Sequence, residues 1–586
     1  MLTAPDAGLA EEAPTFDPDL ASDSLQWFDR RDHLAERAAW SLVWLAVVTG
    51  GVNLWGFWWW SPAVIGLAPL MVAGGLVGVA ASWLVHNPRA RTFQGLALGA
   101  VVVTVLFPQS VEISTGSFYA TDSAAFDQAA ARALEHGTDP YVTSMPEVAH
   151  LLSVPSHFWT YTVDGGHVTQ FSYPAGSFLL SLPATLFGAH LPVDWTDLFA
   201  WLATIVLLFA LLPSSLRWLA GLVGVTPFFV GSFSSGGTDA MFLPFLVLAV
   251  WRWDRYARSS EPGLARWVGP IALGAACAVK QTPWFVVPML VTGVFLEARG
   301  RGSAPARLSL RYLFTVVGVF VALNLPFLVW HPRAWVHGTL IPLTGGLVAD
   351  GQGLVTLATH GLTGGVNLNV LSVAGALAMV GSVAALVAWY PHLKRIWPLL
   401  LAVPFFLSPR SLSSYLVDLF PVAVVAALSV DGAPARGAEE PRPRRHQRAR
   451  PSVLVVALSG VGVVLVSLVA FSGPPLQLSV RSIITSHGGR QLDAVTVSVV
   501  NGSSAALVPH FLVNTATSQD YEGFWVPSER GPVVLEPHDP ETITLRPPSP
   551  QAAPRRGARW LVEAYTADPS WLSTSPVESF HPSERS

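Results

Sequence analysis

Long apolar runs separated by short polar stretches fill the chain to about residue 472, and an alternation of apolar and polar positions takes over after it. A bilayer core about 30 Å thick needs about 20 apolar residues per helix. The runs near 38–57, 63–85, 92–108, 174–189, 196–213, 218–233, 239–256, 267–280, 283–297, 311–330, 367–390, 396–409, 414–430 and 452–472 therefore predict an α-helical polytopic membrane protein of about 13–14 spans. In the long polar stretch 109–170, Phe126, Ala129, Ala130, Ala133 and Leu134 recur at helical spacing and Gly137 supplies a stop. This reads as an amphipathic helix lying at the membrane surface. Beyond 472, Leu476, Leu478 and Val480, then Val495, Val497 and Val499, then Ile543 and Leu545, then Trp560 and Val562 keep period two. With turns at Asn501-Gly502 and Pro547-Pro548, they predict a small all-β sandwich.

Charge sharpens this division. Only 12% of the 586 residues are charged, against about 25% in a typical soluble protein. Of the 34 basic and 38 acidic residues, 32 lie within 38–430 and 40 in the remaining 193 positions. The expected organisation is a disordered cytoplasmic tail over 1–37, an extra N-terminal transmembrane hairpin over 38–91 and a membrane body over 92–430. A basic cytoplasmic loop over 431–451, a last span over 452–472, an extracytoplasmic β-sandwich-like domain over 473–580 and a tail over 581–586 complete it. A net charge of −4 offers no counterion-displacing surface, so no nucleic-acid partner is expected. The one cysteine, Cys277, excludes a disulfide within the chain.

Loops rich in Lys and Arg stay cytoplasmic. Arg89 with Arg91, 251–258 with Arg266, 297–311, Lys394 with Arg395, and 436–450 can share that side, with a cytoplasmic N-terminus. This leaves 109–170, 234–239, 280–282, 331–365, 409–414 and everything after 472 outside. Between 170 and 239 alternation needs an even number of crossings, yet three apolar segments stand there. Either the segment opening at Phe171 is re-entrant or interfacial, or two segments form one bent helix.

With the cytoplasmic bases set aside, Arg132, Lys280, Arg333 and Arg410 remain on the outer side of the body. Lys280 sits between apolar stretches, where an ionisable group is costly and usually functional; its bland alternative is snorkelling to the interface. Arg333 and Arg410 end spans, where headgroup contact is the alternative, and Arg132 reads as a solvated helix face. Asp122 is a candidate general base or a helix cap. Asp239, after Gly236-Gly237, orients a ligand or caps a helix, and Tyr173 stacks on a sugar or, the favoured reading, anchors its helix at the interface. His331, His337, Asp350 and His360 share a loop at spacings that fit no compact metal motif, so neither metal nor other cofactor is assigned. In the tail, Tyr521, Phe524, Trp525 and Trp571 suit a carbohydrate platform, against core packing as the commoner use.

The order of motifs carries a resemblance. Asp122 follows the first core span; then come Ala131, Leu134, Gly137, Asp139, Pro140 and Tyr141 in A-x-x-L-x-x-G-x-D-P-Y, and Tyr173-Pro174 at a helix start. GGTDA with Asp239, AVKQTPWFVVP with Lys280, NLPFLVWHPRAW with Arg333 and SPRSLSSY with Arg410 follow. Over roughly 92–430 the chain resembles the polytopic C-superfamily (GT-C) glycosyltransferases, in particular the bacterial mannosyltransferase-like branch that uses polyprenyl-phosphate sugars. It departs from the usual pattern at Ala175, where a second proline is common, and in the added 38–85 hairpin. The resemblance implies a bacterial cytoplasmic-membrane enzyme that transfers a mannose-like hexose or a pentose, with inversion, from a polyprenyl-phosphate donor to an extracytoplasmic envelope glycan or glycolipid. It makes Asp122 the general base. General chemistry adds a phosphate clamp of Lys280, Arg410 and Arg333, with Asp239, Tyr173, Asp139 and Tyr141 positioning substrate. Two other classes compete. A transporter or lipid-linked-sugar flippase predicts paired charges in mid-membrane and a repeat of spans, whereas most charges here lie at span ends and no repeat is evident. A non-catalytic membrane scaffold displaying the β domain is the third reading.

Overall fold

The computed structural model describes residues 18–58, 62–226, 238–258, 263–344, 346–430, 449–486, 491–515, 523–528, 531, 533–555 and 557–579. Tyr521, the glycines before Thr238, most of the basic loop and the 581–586 tail lie outside them. The chain divides into two compact units, residues 1–104 with 214–225, and 105–213 with 226–586.

In the first unit the helices Pro18–Trp58 and Pro62–Leu84 form an antiparallel hairpin. The first begins inside the segment expected to be an unstructured tail; proline is tolerated at a helix start, and the Ala, Leu, Arg and Glu residues that follow are good helix formers. The Arg37 guanidinium ties the pair by donating to the Val85 carbonyl at 2.9 Å, and Arg89 donates through Nε to both Glu36 oxygens at 2.9 and 3.0 Å. The Gly78 Cα lies so close to the Trp44 ring that a Cβ would fall 2.0 Å from it. Arg217 donates to Gln94 Oε1 at 3.2 Å, and Gln94 Nε2 donates to the Ser214 carbonyl at 2.7 Å, so Arg217 stands at the Arg89 end of this unit.

By length and composition seven helices among the described residues can cross a membrane: Leu34–Gly56, Val64–Leu84, Arg91–Thr115, Pro192–Leu211, Pro305–Trp330, Leu368–Ala388 and Pro451–Ala470. This is the helix set of a multi-pass membrane protein. Leu454, Leu458, Val461, Val464, Leu465 and Leu468 of the last one are exposed, as side chains facing lipid would be. The other expected spans are shorter or broken, as Gly176–Leu186, Ala240–Val250, Ala265–Val279, Trp397–Phe406 and Ser413–Ser429. At 1.5 Å per residue, the 11-residue helix Gly176–Leu186 covers about 16 Å, half the thickness of a bilayer core. That fits the re-entrant or interfacial option for this segment and leaves Pro192–Leu211 as the long helix before Arg217. Two carboxylates, Asp197 and Asp418, are buried in the second turn of apolar helices.

The Asp122–Glu135 helix is not a surface helix. From Asp122 to Ala131 every residue is buried, and the helix packs on Gly176–Leu186 and Pro192–Leu211, with Arg132 left exposed. Six alanines make the close approach possible, a feature that an amphipathic pattern read from its larger residues does not register.

The C-terminal region is β-rich. Strands β1 (Asp350–Gly351), β2 (Gly365–Asn367) and β3 (Arg410–Ser411) come from the body; β4 (Leu476–Ser486), β5 (Gln491–Asn501), β6 (His510–Thr515), β7 (Val526–Pro527), β8 (Pro540–Arg546), β9 (Arg559–Thr566), β10 (Trp571–Thr574) and β11 (Glu578–Ser579) follow. One antiparallel sheet runs β4-β5-β8-β7, with Val480 opposite Val497 and Val497 opposite Ile543. The other holds β6, β9, β10 and β11, and Leu478, Val495, Phe511, Trp525, Leu545, Trp560 and Val562 form one core between the two. Trp525 is 2% and Trp571 9% exposed, so neither is a carbohydrate platform; large apolar area goes to the core of so small a domain.

This region is not a separate module at 473. Strand β2 adds to β10, with Val366 opposite Leu572 and Gly365 opposite Ser573. Beneath the joint, Tyr161, Val163, Val348, Val355, Leu371, Ala470, Leu512, Tyr565 and Leu572 share a second core drawn from loops, helix ends and sheet. Gly365 is required at the joint: its φ is +151°, and a Cβ there would lie 2.2 Å from the Leu572 carbonyl oxygen. Gly365→Ala is expected to cost about 1–3 kcal/mol, read as a lower melting temperature in detergent with earlier proteolytic release of the β region. An unchanged melt and digest would show that β2 pairing contributes nothing.

Candidate functional site

A cavity of ≈ 770 Å³ opens within the second unit, with walls from 120–126, 157–160, 172–173, 239, 280–285, 341–352 and 404–415. Asp122, Tyr173, Asp239, Lys280 and Arg410 all line it.

Asp122 is the first residue of its helix but not the cap. Thr121 takes that role, its Oγ1 accepting the Ala124 N–H at 3.3 Å. The Asp122 carboxylate is thereby released toward Thr160, which donates its backbone N–H to Oδ2 at 2.6 Å and its hydroxyl to Oδ1 at 3.2 Å. Thr160 opens a small turn closed by the Tyr161–His167 bridge, and its own carbonyl accepts the Val168 N–H at 2.9 Å. Burial holds the Asp122 carboxyl above the ordinary aspartate value, against the pull of both Thr160 bonds and of Arg410.

Lys280 terminates the Val268–Val279 helix in an extended conformation that turns it from the helix into the cavity wall. Its ammonium is paired with Asp239 and lies 5.4 Å from the centre of the Tyr173 ring. Asp239 makes no side-chain cap bond to the helix it precedes, so its carboxylate serves Lys280 instead. Arg410 is fixed twice: β3 pairs parallel with β1, placing Arg410 beside Asp350, and Arg410 Nη2 donates to Asp350 Oδ2 at 3.2 Å. Both cations therefore have protein carboxylates as partners, and with Asp122 the charged groups described on the wall number three acids and two bases. Among the described residues no three His, Cys, Asp or Glu side chains gather closely enough to hold a metal.

Asp139 and Tyr141 stand behind the wall, not on it. Asp139 is 3% exposed; Oδ1 accepts the Tyr141 N–H at 2.9 Å and Oδ2 pairs with His331 Nδ1 at 2.6 Å. Tyr141 packs on Phe171, Phe178 and Phe327 and donates its hydroxyl to the Tyr173 carbonyl at 2.8 Å. They brace the segment that presents Tyr173, which lines the cavity beside Lys280, so the interface-anchor reading of Tyr173 gives way to a wall position. Ala175 explains its own departure from the Tyr-Pro-Pro pattern: its N–H donates to Asn324 Oδ1 at 2.8 Å, a bond proline cannot make. Arg333 is exposed at the start of the Pro332–Thr344 helix and does not reach the cavity; ending a span on the right side does not aim a side chain inward.

Sequence reasoning missed several wall residues. Thr160 carries no signal beyond being a threonine in a loop. Gln281, whose Nε2 donates to the Ser172 and Thr339 carbonyls at 2.9 and 2.8 Å, was within reach as the neighbour of Lys280. Asp350 drew attention only as a metal candidate, and Tyr415 none. The run His157, Phe158, Trp159 could have been found as three aromatics in a hydrophilic loop. Behind the wall, burial pushes the Asp127 carboxyl up to about 7, against the Ser177 hydroxyl and Lys280.

With side chains only 9% and 6% exposed, Lys280 and Asp239 form a pair in which removing one partner strands the other. Asp239→Ala is expected to destabilise by about 3–5 kcal/mol and the double change Asp239→Leu with Lys280→Met by clearly less, measured by thermal unfolding in detergent. Equal losses in both would sink the pairing argument. The chain matches no protein family model, no curated protein and no solved structure.

Proposed function

We propose that this protein is a GT-C-type glycosyltransferase of the bacterial cytoplasmic membrane, moving a mannose-like hexose or a pentose from a polyprenyl-phosphate donor to an extracytoplasmic envelope glycan or glycolipid. One observation carries the reading: Asp122, Lys280 and Arg410, from distant parts of the chain, line a single cavity. A carboxylate and two cations are what the chemistry requires.

In this mechanism Asp122 accepts the proton of the acceptor hydroxyl. The acceptor oxygen attacks the anomeric carbon opposite the phosphate, the bond from that carbon to the phosphate oxygen breaks, and its electron pair leaves on the phosphate. Lys280 and Arg410 stabilise that charge, and the anomeric configuration inverts. The raised Asp122 pKa strengthens it as a base. Arg333 has no part in this clamp, and Asp139 and Tyr141 act through Tyr173.

Asp122→Asn is expected to lower transfer from a polyprenyl-phosphate sugar by about 10²–10⁴-fold, and in the wild type kcat/KM falls on the acid side as Asp122 takes up a proton. Near-wild-type turnover in the variant would remove the base assignment.

The partner of Arg410 gives a second test. Asp350 is an internal anion competing with the donor phosphate for the same guanidinium, and both side chains are partly exposed. Asp350→Asn is expected to tighten polyprenyl-phosphate binding about two- to fivefold, since the β1–β3 backbone pairing still holds Arg410 in place. Weaker or unchanged binding, measured by calorimetry, would refute the competition.

The buried Asp197 and Asp418 are the observation that favours the flippase alternative. Proteoliposomes that move the lipid-linked sugar across the bilayer without cleaving its glycosidic bond would decide for it.

A further inference from the structure

The cavity wall that carries Asp122 also carries three consecutive aromatic side chains, His157, Phe158 and Trp159, to which the mechanism above gives no role. They are fixed from behind. Trp159 Nε1 donates to the Val154 carbonyl at 3.0 Å, and its ring stands edge-on to His150 at 5.1 Å and tilted against His167 at 4.8 Å. Phe158 packs on Phe118 at 6.5 Å and on His157 at 4.1 Å. Rings used up by core packing would be buried, as Tyr141 and Phe171 are a short distance along the chain; these three remain half-buried against open cavity.

The residue after Trp159 is Thr160, which holds both oxygens of Asp122. The aromatic ledge is therefore covalently continuous with Thr160, and through the two Thr160 hydrogen bonds it is tied to the Asp122 carboxylate on the neighbouring helix. Around them the wall offers neutral hydrogen-bonding groups, Thr121, Ser123 and Gln352, while Lys280 and Arg410 come from other segments. A phosphate needs cations. A ledge of rings bordered by hydroxyls and an amide suits a neutral ligand with an apolar C–H face and many hydroxyls, which is a sugar ring.

We infer that His157, Phe158 and Trp159 form the acceptor subsite, on which a sugar ring of the acceptor stacks and turns one hydroxyl toward Asp122. This rests on the transferase reading and gives its acceptor a chemical class, a carbohydrate. It also moves carbohydrate recognition from the β region, whose tryptophans are buried, to the outer loop beside the base.

The test uses the full chain in detergent, titrated with mannotriose and with arabinotriose by saturation-transfer NMR, alongside transfer from a polyprenyl-phosphate sugar. At least one trisaccharide is expected to bind. Trp159→Ala and Phe158→Ala should weaken it about tenfold, and Trp159→Phe should restore most of the loss. Phe158→Leu keeps the side-chain bulk and removes only the aromatic face, so it serves if an alanine variant melts early. Binding of neither sugar to the wild type, or wild-type affinity in the ledge variants, would overturn the inference. Transfer with an unaltered acceptor KM in those variants would overturn it too, with the transferase reading intact. Ledge-dependent sugar binding by a chain with no transferase activity would uphold the sugar site and sink the transferase.

Discussion

Two loops with little regular structure have to be held still for the cavity to exist, and backbone pairing does this. The Val163 N–H donates to the Gly346 carbonyl at 2.7 Å, and the Val348 N–H to the Tyr161 carbonyl at 3.0 Å, so the loop carrying Thr160 and the loop carrying Asp350 brace each other. β1 then pairs with β3, and β2 with β10. Buried backbone donors and acceptors must find partners, and here they do so across segments far apart in the chain. The C-terminal β region is part of this bracing: its strand β10 and its residues Leu512, Tyr565 and Leu572 complete the layer under the loops.

On that frame sit charges that an apolar interior tolerates only in company. Lys280 has Asp239 and Arg410 has Asp350, while Asp122 is held by hydrogen bonds from Thr160. Such pairing satisfies the fold before any ligand arrives, and it sets a condition on ligand binding: an anion entering the cavity exchanges with a carboxylate already there. The deeply buried Lys280 pair is the less exchangeable, and the partly exposed Arg410 pair is where that exchange is cheapest.

The residues legible in the sequence were those with a thermodynamic oddity. Lys280 stood out because an ammonium between apolar runs is expensive and Arg410 because few bases remained after the cytoplasmic loops were assigned, while Asp122 was marked by its place at a helix start after the first core span. Residues chosen for lying on the right side alone fared differently: Arg333 ends a span yet points away, and Asp139 went to a turn and to His331. Thr160 could not be found this way, since its value lies in one hydrogen-bond geometry 38 residues from Asp122. The shortness of helix Gly176–Leu186 stayed one of two open readings and the burial of Asp122–Glu135 was missed for a related reason: hydropathy reports composition, not length of regular structure or the closeness that alanine permits.

By itself the sequence determined the helical, membrane-embedded character of the body and the β character of the tail, because both follow from local periodicity and the solvation of apolar side chains. It also named most of the charged wall. Which charges face one another, that a strand of the body completes the sheet of the tail, and that the aromatic ledge stands one residue from the hold on Asp122 were decided by tertiary structure. Those facts depend on pairing between segments far apart in the chain, which no local pattern encodes.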